Sequence, residues 1–222
     1  MELPTALRRR VFVTGATGYL GRALVPELLA RGHAVRSLMR STARSSLPGA
    51  VELAEGDALD AATFARHARG FDTLVQLVGA PKPAPWKGAE FRRVDRASAL
   101  ASLEVALGAG VAHYVYLSVA QPAPVMRAYL AVRAECEARI AASGIAATFV
   151  RPWYVIGPGH RWPLVLAPLY AVLECVPATR ASALRLGLVR LDQVVDALVA
   201  AVEHPPRGVR VVETAELRAG SP

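Results

Sequence analysis

The chain has 222 residues, 53% of them hydrophobic, and carries a formal net charge of +8 at pH 7. This hydrophobic fraction excludes an intrinsically disordered chain, and the length suits one domain with a substantial core. The 26 lysines and arginines are scattered, and Arg8–Arg10 is the one dense basic tract, so we expect no nucleic-acid partner.

Segments with strand and helix patterns alternate along the chain, an order typical of a parallel sheet with helices on both faces. After a first strand pattern at 11–14, further strand patterns occupy 34–39, 51–54, 73–78, 113–117, 147–150 and 209–212, with a short run at 186–189. Helix patterns occupy 20–30, 60–69, 90–107, 125–142, 164–176 and 191–202. We therefore predict an α/β fold with a doubly wound parallel sheet of the Rossmann type. Residues 1–222 are expected to form one domain, in which 152–222 make up most of a small cap on the substrate side.

The most informative motif is the turn after the first strand, where glycines recur at Gly15, Gly18 and Gly21. Glycines at this spacing between a strand and a helix are typical of dinucleotide binding. They permit a tight turn, close approach of the backbone to a pyrophosphate, and close packing of the helix. The N–H groups and the dipole at the start of that helix attract phosphates. The predicted cofactor contacts in this motif are Gly15, Ala16, Thr17, Gly18, Tyr19, Leu20 and Gly21.

The end of the second strand favours NADP(H) over NAD(H) as the cofactor. A carboxylate about 20 residues after the glycines would bind the ribose 2′-hydroxyl of NAD, but the sequence there reads Arg40-Ser41-Thr42. An arginine can make bidentate bonds to a 2′-phosphate; the alternative is a solvated surface side chain. Asp57 is a candidate partner for the adenine amino group. Further cofactor contacts are expected from Ala58, Val78, Gly79, Arg133 and Pro152.

The chain resembles the short-chain dehydrogenase/reductase superfamily, in particular its atypical NAD(P)-binding branch. That branch includes epimerase/dehydratase-like proteins, nitrogen-repressor-like redox sensors and an accessory subunit of respiratory complex I. The resemblance spans essentially the whole chain. It is carried by the glycine motif at 14–21, Gly56-Asp57, Ser118, Tyr129 with Arg133, and Arg151-Pro152 with Gly157-Pro158.

The resemblance implies a catalytic set made of a serine, a tyrosine, and a lysine four residues after the tyrosine. Ser118 and Tyr129 match this set, with the serine orienting the substrate and the tyrosine acting as acid and base. Arg133 stands where the family has lysine. Its charge can lower the pKa of the tyrosine and it can bind the nicotinamide ribose, but it cannot relay a proton. The alternative for Tyr129 is an aromatic side chain packed on a helix face.

Residues after Pro152 argue against a sugar-nucleotide substrate, because Tyr154 stands where such family members usually carry asparagine. The aromatic side chains there and the apolar run 164–176 form either a lid over an apolar substrate or a plain cover for the sheet; the aromatic residues are Trp153, Tyr154 and Trp162. We predict an NADP-dependent oxidoreductase or isomerase that acts on a small, rather apolar carbonyl or quinone-like substrate. The alternative is a non-catalytic NAD(P)-binding redox sensor or accessory subunit.

Cys136 and Cys175 match no metal-ligand spacing and are expected to be buried thiols of a reduced, cytoplasmic protein. The sequence predicts no metal site. The apolar run 163–177 is too short to cross a bilayer, so we expect no integral membrane segment. Monomer and homodimer both stay open. His113 is expected to be structural, and His160 either reaches the mouth of the site or is simply exposed.

Overall fold

The computed structural model describes residues 8–40 and 47–220. The strands are β1 (Arg10–Thr14), β2 (Ala34–Met39), β3 (Glu52–Glu55), β4 (Thr73–Gln76), β5 (His113–Leu117), β6 (Ala146–Arg151), β7 (Tyr154–Ile156), β8 (Leu188–Arg190) and β9 (Val209–Glu213). The helices are α1 (Tyr19–Ala30), α2 (Ala61–Phe64), α3 (Gly88–Phe91), α4 (Ala97–Gly108), α5 (Arg127–Ala142), α6 (Ala167–Cys175), α7 (Pro177–Arg185), α8 (Leu191–Glu203) and α9 (Thr214–Ala219).

Within the described part of the chain, seven strands form one parallel sheet in the order β3-β2-β1-β4-β5-β6-β9. The strand order reverses between β1 and β4, because the chain fills one side of β1 first and then crosses to the other. A crevice opens at such a reversal, outside the carboxyl ends of the strands. The predicted doubly wound α/β fold is confirmed.

Both faces of the sheet are buried, which explains why its strands are almost continuously apolar. Successive side chains of β1 point to opposite faces: Phe12 enters one core cluster, while Val11 and Val13 enter the other. The first cluster includes Phe64, Tyr114 and residues of α4 and α5, and the second is covered by α1 and α8. The sheet is therefore held between two helical layers, as the alternating sequence pattern predicts.

Residues 152–220 divide between two places. Helix α8 packs in the same core cluster as α1, and β9 pairs with β6 in the main sheet. The rest of this segment forms a small lobe, in which β7 pairs with β8 and α6 lies next to α7. The lobe begins directly after Pro152, at the carboxyl end of β6.

The helix predicted over 90–107 is confirmed as an unbroken helical run over 88–108, in which a π-helical turn at Arg92–Arg96 joins α3 to α4. Other local predictions were wrong. The expectation that the run 164–176 covers the sheet was wrong, because α6 contains no buried residue. Cys136 is buried as expected, but Cys175 is exposed at the end of α6.

Candidate functional site

The glycine turn after β1 is packed too tightly for side chains at two of its glycines. Gly15 has φ +80°, and a Cβ there would lie 2.9 Å from the backbone nitrogen of Val78. A Cβ at Gly21 would lie 2.5 Å from both the Cα and the carbonyl oxygen of Ala16. The first glycine lets the turn approach the chain leaving β4, and the other lets α1 pack against the turn.

The start of α1 is open to an anionic group. Gly18 occupies the N-cap position, no side chain caps the helix, and its first turn has no acidic residue. The backbone N–H groups of this turn and the positive end of the helix dipole attract phosphate. The turn therefore fits a pyrophosphate, the use that the glycine spacing predicts.

A cavity of about 460 Å³ lies at the carboxyl ends of β1 to β4. This volume lies in the range that small-molecule ligands occupy. The predicted residues in its lining are Gly15, Thr17, Gly18, Arg40, Asp57, Ala58, Val78 and Gly79. Residues that were not predicted complete the lining: Leu38, Met39, Gly56, Leu59, Leu77, Pro81, Glu90, Arg93 and Val94.

Other predicted contacts lie outside the cavity lining. Ala16 and Pro152 are buried, and Leu20 packs on the core cluster under α1. Tyr19 is 38% exposed and its ring lies 5.5 Å from that of His160 in an edge-on contact. His160 is exposed and lies beside Tyr19, the first residue of α1.

Arg40 is the residue after β2, it is exposed, and it lines the cavity. It makes no ion pair within the described residues, whereas Arg36 on the same strand is engaged: its Nε donates to Glu52 at 2.8 Å and its guanidinium lies over Phe71. Of these two arginines, Arg40 has its donors available for a ligand. Ser41 and Thr42, which the sequence placed beside it, lie outside the described residues.

Asp57 follows β3 in a loop that its own hydrogen bonds hold in place. Its Oδ1 accepts from the backbone N–H of Leu59 at 3.0 Å, and its backbone N–H donates to Thr63 Oγ1 at 2.9 Å. The carboxylate is therefore fixed at the cavity wall, on the side that β2 and β3 provide.

Ser118 follows β5 and is 4% exposed, and its Oγ makes no hydrogen bond to any described residue. Its backbone N–H donates to the Val150 carbonyl at 2.8 Å, which holds the residue between β5 and β6. Buried polar groups in proteins are nearly always hydrogen-bonded. A buried hydroxyl without a partner at a ligand-binding sheet edge is therefore a candidate ligand contact.

Arg133 on α5 is 4% exposed, and both of its terminal nitrogens donate hydrogen bonds to protein groups. Nη1 donates to the Leu117 carbonyl at 2.7 Å and to the Tyr116 hydroxyl at 3.2 Å, while Nη2 donates to Asp95 Oδ1 at 2.5 Å. The guanidinium lies 5.1 Å from the ring centre of Tyr129. Both terminal nitrogens are thus engaged inside the protein, whereas Nε has no partner among the described residues. Arg133 joins the end of β5 to Tyr129.

Tyr129 is half-buried, and its ring lies 4.9 Å from that of Phe91. Burial raises the pKa of its phenol, and the charge of Arg133 opposes that shift without reversing it. The expected effect of Arg133, a lowering of the tyrosine pKa, is present, but the loss of solvation outweighs it and the pKa is raised. The phenol is the proton-bearing form at neutral pH.

Asp95 is the important residue that sequence reasoning missed. It lies in the π-helical turn, is fully buried, and accepts from the Ala80 backbone N–H at 3.0 Å through its second oxygen. Gly79 packs against the ion pair between Asp95 and Arg133, since a Cβ at Gly79 would lie 2.6 Å from Arg133 Nη2. The ion pair therefore forms part of the wall behind a cavity-lining glycine. No sequence signal marked Asp95, because a charged residue within a helical segment is usually solvated.

Neither a metal-binding cluster nor a membrane-spanning helix is found in the described ranges, 8–40 and 47–220. No group of three His, Cys, Asp or Glu side chains there is arranged to hold a metal ion. No helix there is long and apolar enough to cross a membrane.

His113 is buried in β5 with its Nε2 3.0 Å from Thr148 Oγ1.

Comparison with known proteins agrees with this geometry. A family model described as NAD(P)H-binding matches residues 15–160. A ceramide reductase of Caulobacter vibrioides is 30% identical over 218 residues, which cover 97% of this chain and 67% of that protein. A 3-diazoavenalumate denitrifying reductase of a Streptomyces species is 29% identical over 226 residues, covering 90% of this chain and 74% of that protein.

Among solved structures, the Bordetella bronchiseptica enzyme WbmH in complex with NAD+ superimposes with a TM-score of 0.69. The two chains are 20% identical, and the match covers 92% of this chain and 75% of the other. At that identity the likeness supports the fold alone.

Proposed function

Since the chain belongs to the NAD(P)H-binding family, and with it to the short-chain dehydrogenase/reductase superfamily that its sequence resembles, we propose that it is an NADPH-dependent reductase. Its substrate is a small, rather apolar carbonyl or quinone-like compound. The ceramide reductase that matches nearly the whole chain supports the apolar character of this substrate, since ceramide is a lipid.

Arg40 supports NADPH rather than NADH as the cofactor. The glycine turn and the start of α1 suit the pyrophosphate of either nucleotide, so selectivity rests on the end of β2. An exposed guanidinium in the cavity lining can form charge-assisted bonds to a 2′-phosphate. A carboxylate there would repel the same group.

The observation that carries the proposal is Ser118 Oγ, a buried hydroxyl without a partner in the described chain. We assign it to the substrate oxygen, to which it donates a hydrogen bond. Arg133 contacts the carbonyl of the preceding residue, Leu117, and also lies against Tyr129. The serine and the tyrosine are therefore held by one common element.

Tyr129 is assigned the role of proton donor. Because burial raises its pKa, the phenol keeps its proton at neutral pH and can transfer it to a carbonyl oxygen. A bound NADPH supplies the hydride in this class of reaction. The charge of Arg133 offsets part of the cost of the phenolate that the transfer leaves, while the raised pKa keeps the resting phenol in the protonated form that a reduction needs.

A second candidate, a non-catalytic NAD(P)-binding sensor or accessory subunit, is favoured by the contacts of Arg133. Its terminal nitrogens are bound to Asp95, Leu117 and Tyr116, and an arginine gives up no proton at neutral pH. A protein with this arrangement keeps its cofactor site while it lacks the lysine of the family's proton relay.

The two candidates are separated by measuring NADPH oxidation by the pure protein on a panel of carbonyl and quinone compounds, with NADPH binding measured by calorimetry. The reductase predicts turnover on apolar members of the panel and a loss of turnover in Ser118→Ala with unchanged NADPH affinity. Tight NADPH binding without turnover on any compound would support the second candidate. Absence of nicotinamide-nucleotide binding by folded protein would overturn both.

A further inference from the structure

The lobe exposes five large apolar side chains within one short stretch of the chain, which we call the apolar strip: Trp162, Val165, Leu169, Val172 and Val176. Their side chains are 56%, 76%, 54%, 62% and 42% exposed, respectively. Leu169 and Val172 lie three residues apart in α6 and so share one face of that helix. Val165 lies in the 3₁₀ turn Trp162–Leu166 that precedes α6, and Val176 follows α6 in extended backbone. Monomeric soluble proteins rarely expose a contiguous apolar face of this kind, and such a face marks a docking surface.

The strip contains no charge. Between Trp162 and Ala178 the one charged residue is Glu174, which turns inward and binds Arg218 with 2.6 Å between the charged atoms. Tyr170 also turns inward, with its ring 6.4 Å from that of Tyr154. The polar groups of α6 therefore hold it to the lobe, and its apolar side chains face outward.

Arginines lie at both ends of the strip. Arg161 precedes Trp162 and Arg180 follows in α7; both are exposed, and neither makes an ion pair with any residue that the structure describes. An apolar face between unpaired cations is complementary to a bilayer whose surface carries anionic lipids. Apolar side chains enter the boundary of the acyl chains while arginines contact the phosphates.

We propose that the apolar strip docks the protein on an anionic lipid bilayer. Helix α6 has nine residues, so it lies in the interface rather than crossing it. A second copy of the chain fits the strip less well. An antiparallel pairing of two strips would set Arg161 of each copy against Arg180 of the other, with no carboxylate in the strip to compensate either charge.

The strip is connected to the candidate active edge of the sheet by aromatic contacts. The Trp162 ring lies 5.4 Å from that of Tyr154, which lies 5.8 Å from that of Trp153, the residue after Pro152. The carbonyl of Pro152 accepts a hydrogen bond from the backbone N–H of Ala120, two residues after Ser118. Docking through the strip would therefore place the carboxyl edge of β5 and β6 close to the lipid surface.

The proposal is tested by cosedimentation of the whole protein with vesicles of phosphatidylcholine alone and of phosphatidylcholine mixed with phosphatidylglycerol. We expect binding to the anionic vesicles that weakens as salt is raised, and much weaker binding to the neutral ones. Arg161→Gln and Arg180→Gln should each reduce the partition coefficient on anionic vesicles by about fivefold. Failure of the folded protein to sediment with anionic vesicles would overturn the proposal.

The double variant Leu169→Glu/Val172→Glu should lower partitioning by more than about tenfold, because two apolar anchors are replaced by anions. Leu107→Glu is the matched control: Leu107 is 48% exposed on α4, away from the lobe, and its variant should partition like the wild type. Unchanged thermal midpoints would show that both variants fold. Equal losses in both variants would contradict docking through the strip. So would a lipid-independent dimer, seen by light scattering, that the double variant alone dissociates.

Discussion

The guanidinium of Arg133 and the carboxylate of Asp95 form an ion pair shielded from water, with 2.5 Å between Nη2 and Oδ1. Asp95 also accepts from the Ala80 N–H, and Arg133 donates to the Leu117 carbonyl. The pair therefore connects the chain leaving β4, the π-helical turn and the end of β5. These are the segments that place Gly79 at the cavity and Ser118 at the sheet edge, so Arg133 acts as a positioning residue.

Asp95→Asn should lower the free energy of unfolding by about 3–5 kcal/mol, because it leaves the charge of Arg133 buried without compensation. Urea unfolding measures this change. Glu135→Gln is the control, since it breaks an ion pair with Arg96 whose side chains are 36% and 41% exposed; its cost should stay within about 1 kcal/mol. Similar losses of unfolding free energy in the two variants would show that burial does not determine how much the ion pair between Asp95 and Arg133 stabilises the protein.

Arg40→Gln should weaken NADP+ binding by about 10- to 100-fold and leave NAD+ binding nearly unchanged, because it removes charge-assisted bonds to the 2′-phosphate alone. Dissociation constants for both nucleotides, measured by calorimetry, check this. Arg36→Gln on the same strand is the matched control, because Arg36 is bound to Glu52. If Arg36→Gln changed selectivity as much as Arg40→Gln, the general charge of this edge would be responsible rather than a specific contact.

Tyr129→Phe should reduce turnover by about 10²- to 10⁴-fold while NADPH affinity stays the same, since it removes the proton donor and keeps the ring. Steady-state kinetics and nucleotide titration measure the two effects separately. Tyr114→Phe is the comparison: the hydroxyl of that buried tyrosine lies 2.6 Å from Ser102 Oγ and donates to the Ala99 carbonyl at 3.2 Å. It should lower stability and leave the turnover number unchanged. A Tyr129→Phe variant with full activity would remove this tyrosine from the mechanism.

Gly21→Ala should destabilise the protein by about 1–3 kcal/mol and weaken nucleotide binding, because the new methyl group overlaps the Ala16 backbone and pushes α1 away from the turn. Gly108→Ala, at the end of α4, meets no atom within 4 Å and should be neutral or stabilising by up to about 1 kcal/mol. Thermal and urea unfolding with NADPH titration compare the two. Loss of binding in Gly108→Ala would contradict the packing explanation.

His113 should make the protein less stable in acid. Burial lowers its pKa from 6.5 to about 4, with Arg9 contributing less. The unfolded chain therefore takes up a proton in the range from 6.5 down to about 4, where the folded protein does not. Stability is full above pH 6.5, and about 2–3 kcal/mol is lost as the pH falls toward 4. His113→Gln lacks this ionisation, so the gap in unfolding free energy between the two proteins should change with pH by that amount. A constant gap would exclude His113 as the cause.

The sequence predicts the sheet well because buried parallel strands are apolar throughout and are separated by glycine and proline. The strands β2 and β5 were predicted at their observed bounds, and the glycine turn was placed correctly. Helix α7 was missed because its polar and apolar residues form no clear helical stripe and only Ala183 is buried. Strand β7 was missed because three residues carry too little periodicity.

The cavity wall was predicted in part, because it too is built from features that the local sequence shows. Glycines and the ends of strands identify a cavity wall, since backbone constraints act locally in sequence. Asp95 was not predicted, because its role depends on Arg133, which lies 38 positions later and meets it only in the folded chain. The direction of the Tyr129 pKa likewise depends on burial by distant residues such as Phe91, and residue spacing does not report burial.

The pairing of β6 with β9 has a consequence during synthesis on the ribosome. The edge of β6 that faces β9 stays unpaired until residues 209–213 have emerged, more than fifty residues after β6 itself. Open strand edges recruit other chains, and long-range parallel pairing forms slowly. Nascent chains that stop short of β9 should therefore depend on chaperones to stay dispersed, while chains that include it close the sheet on themselves.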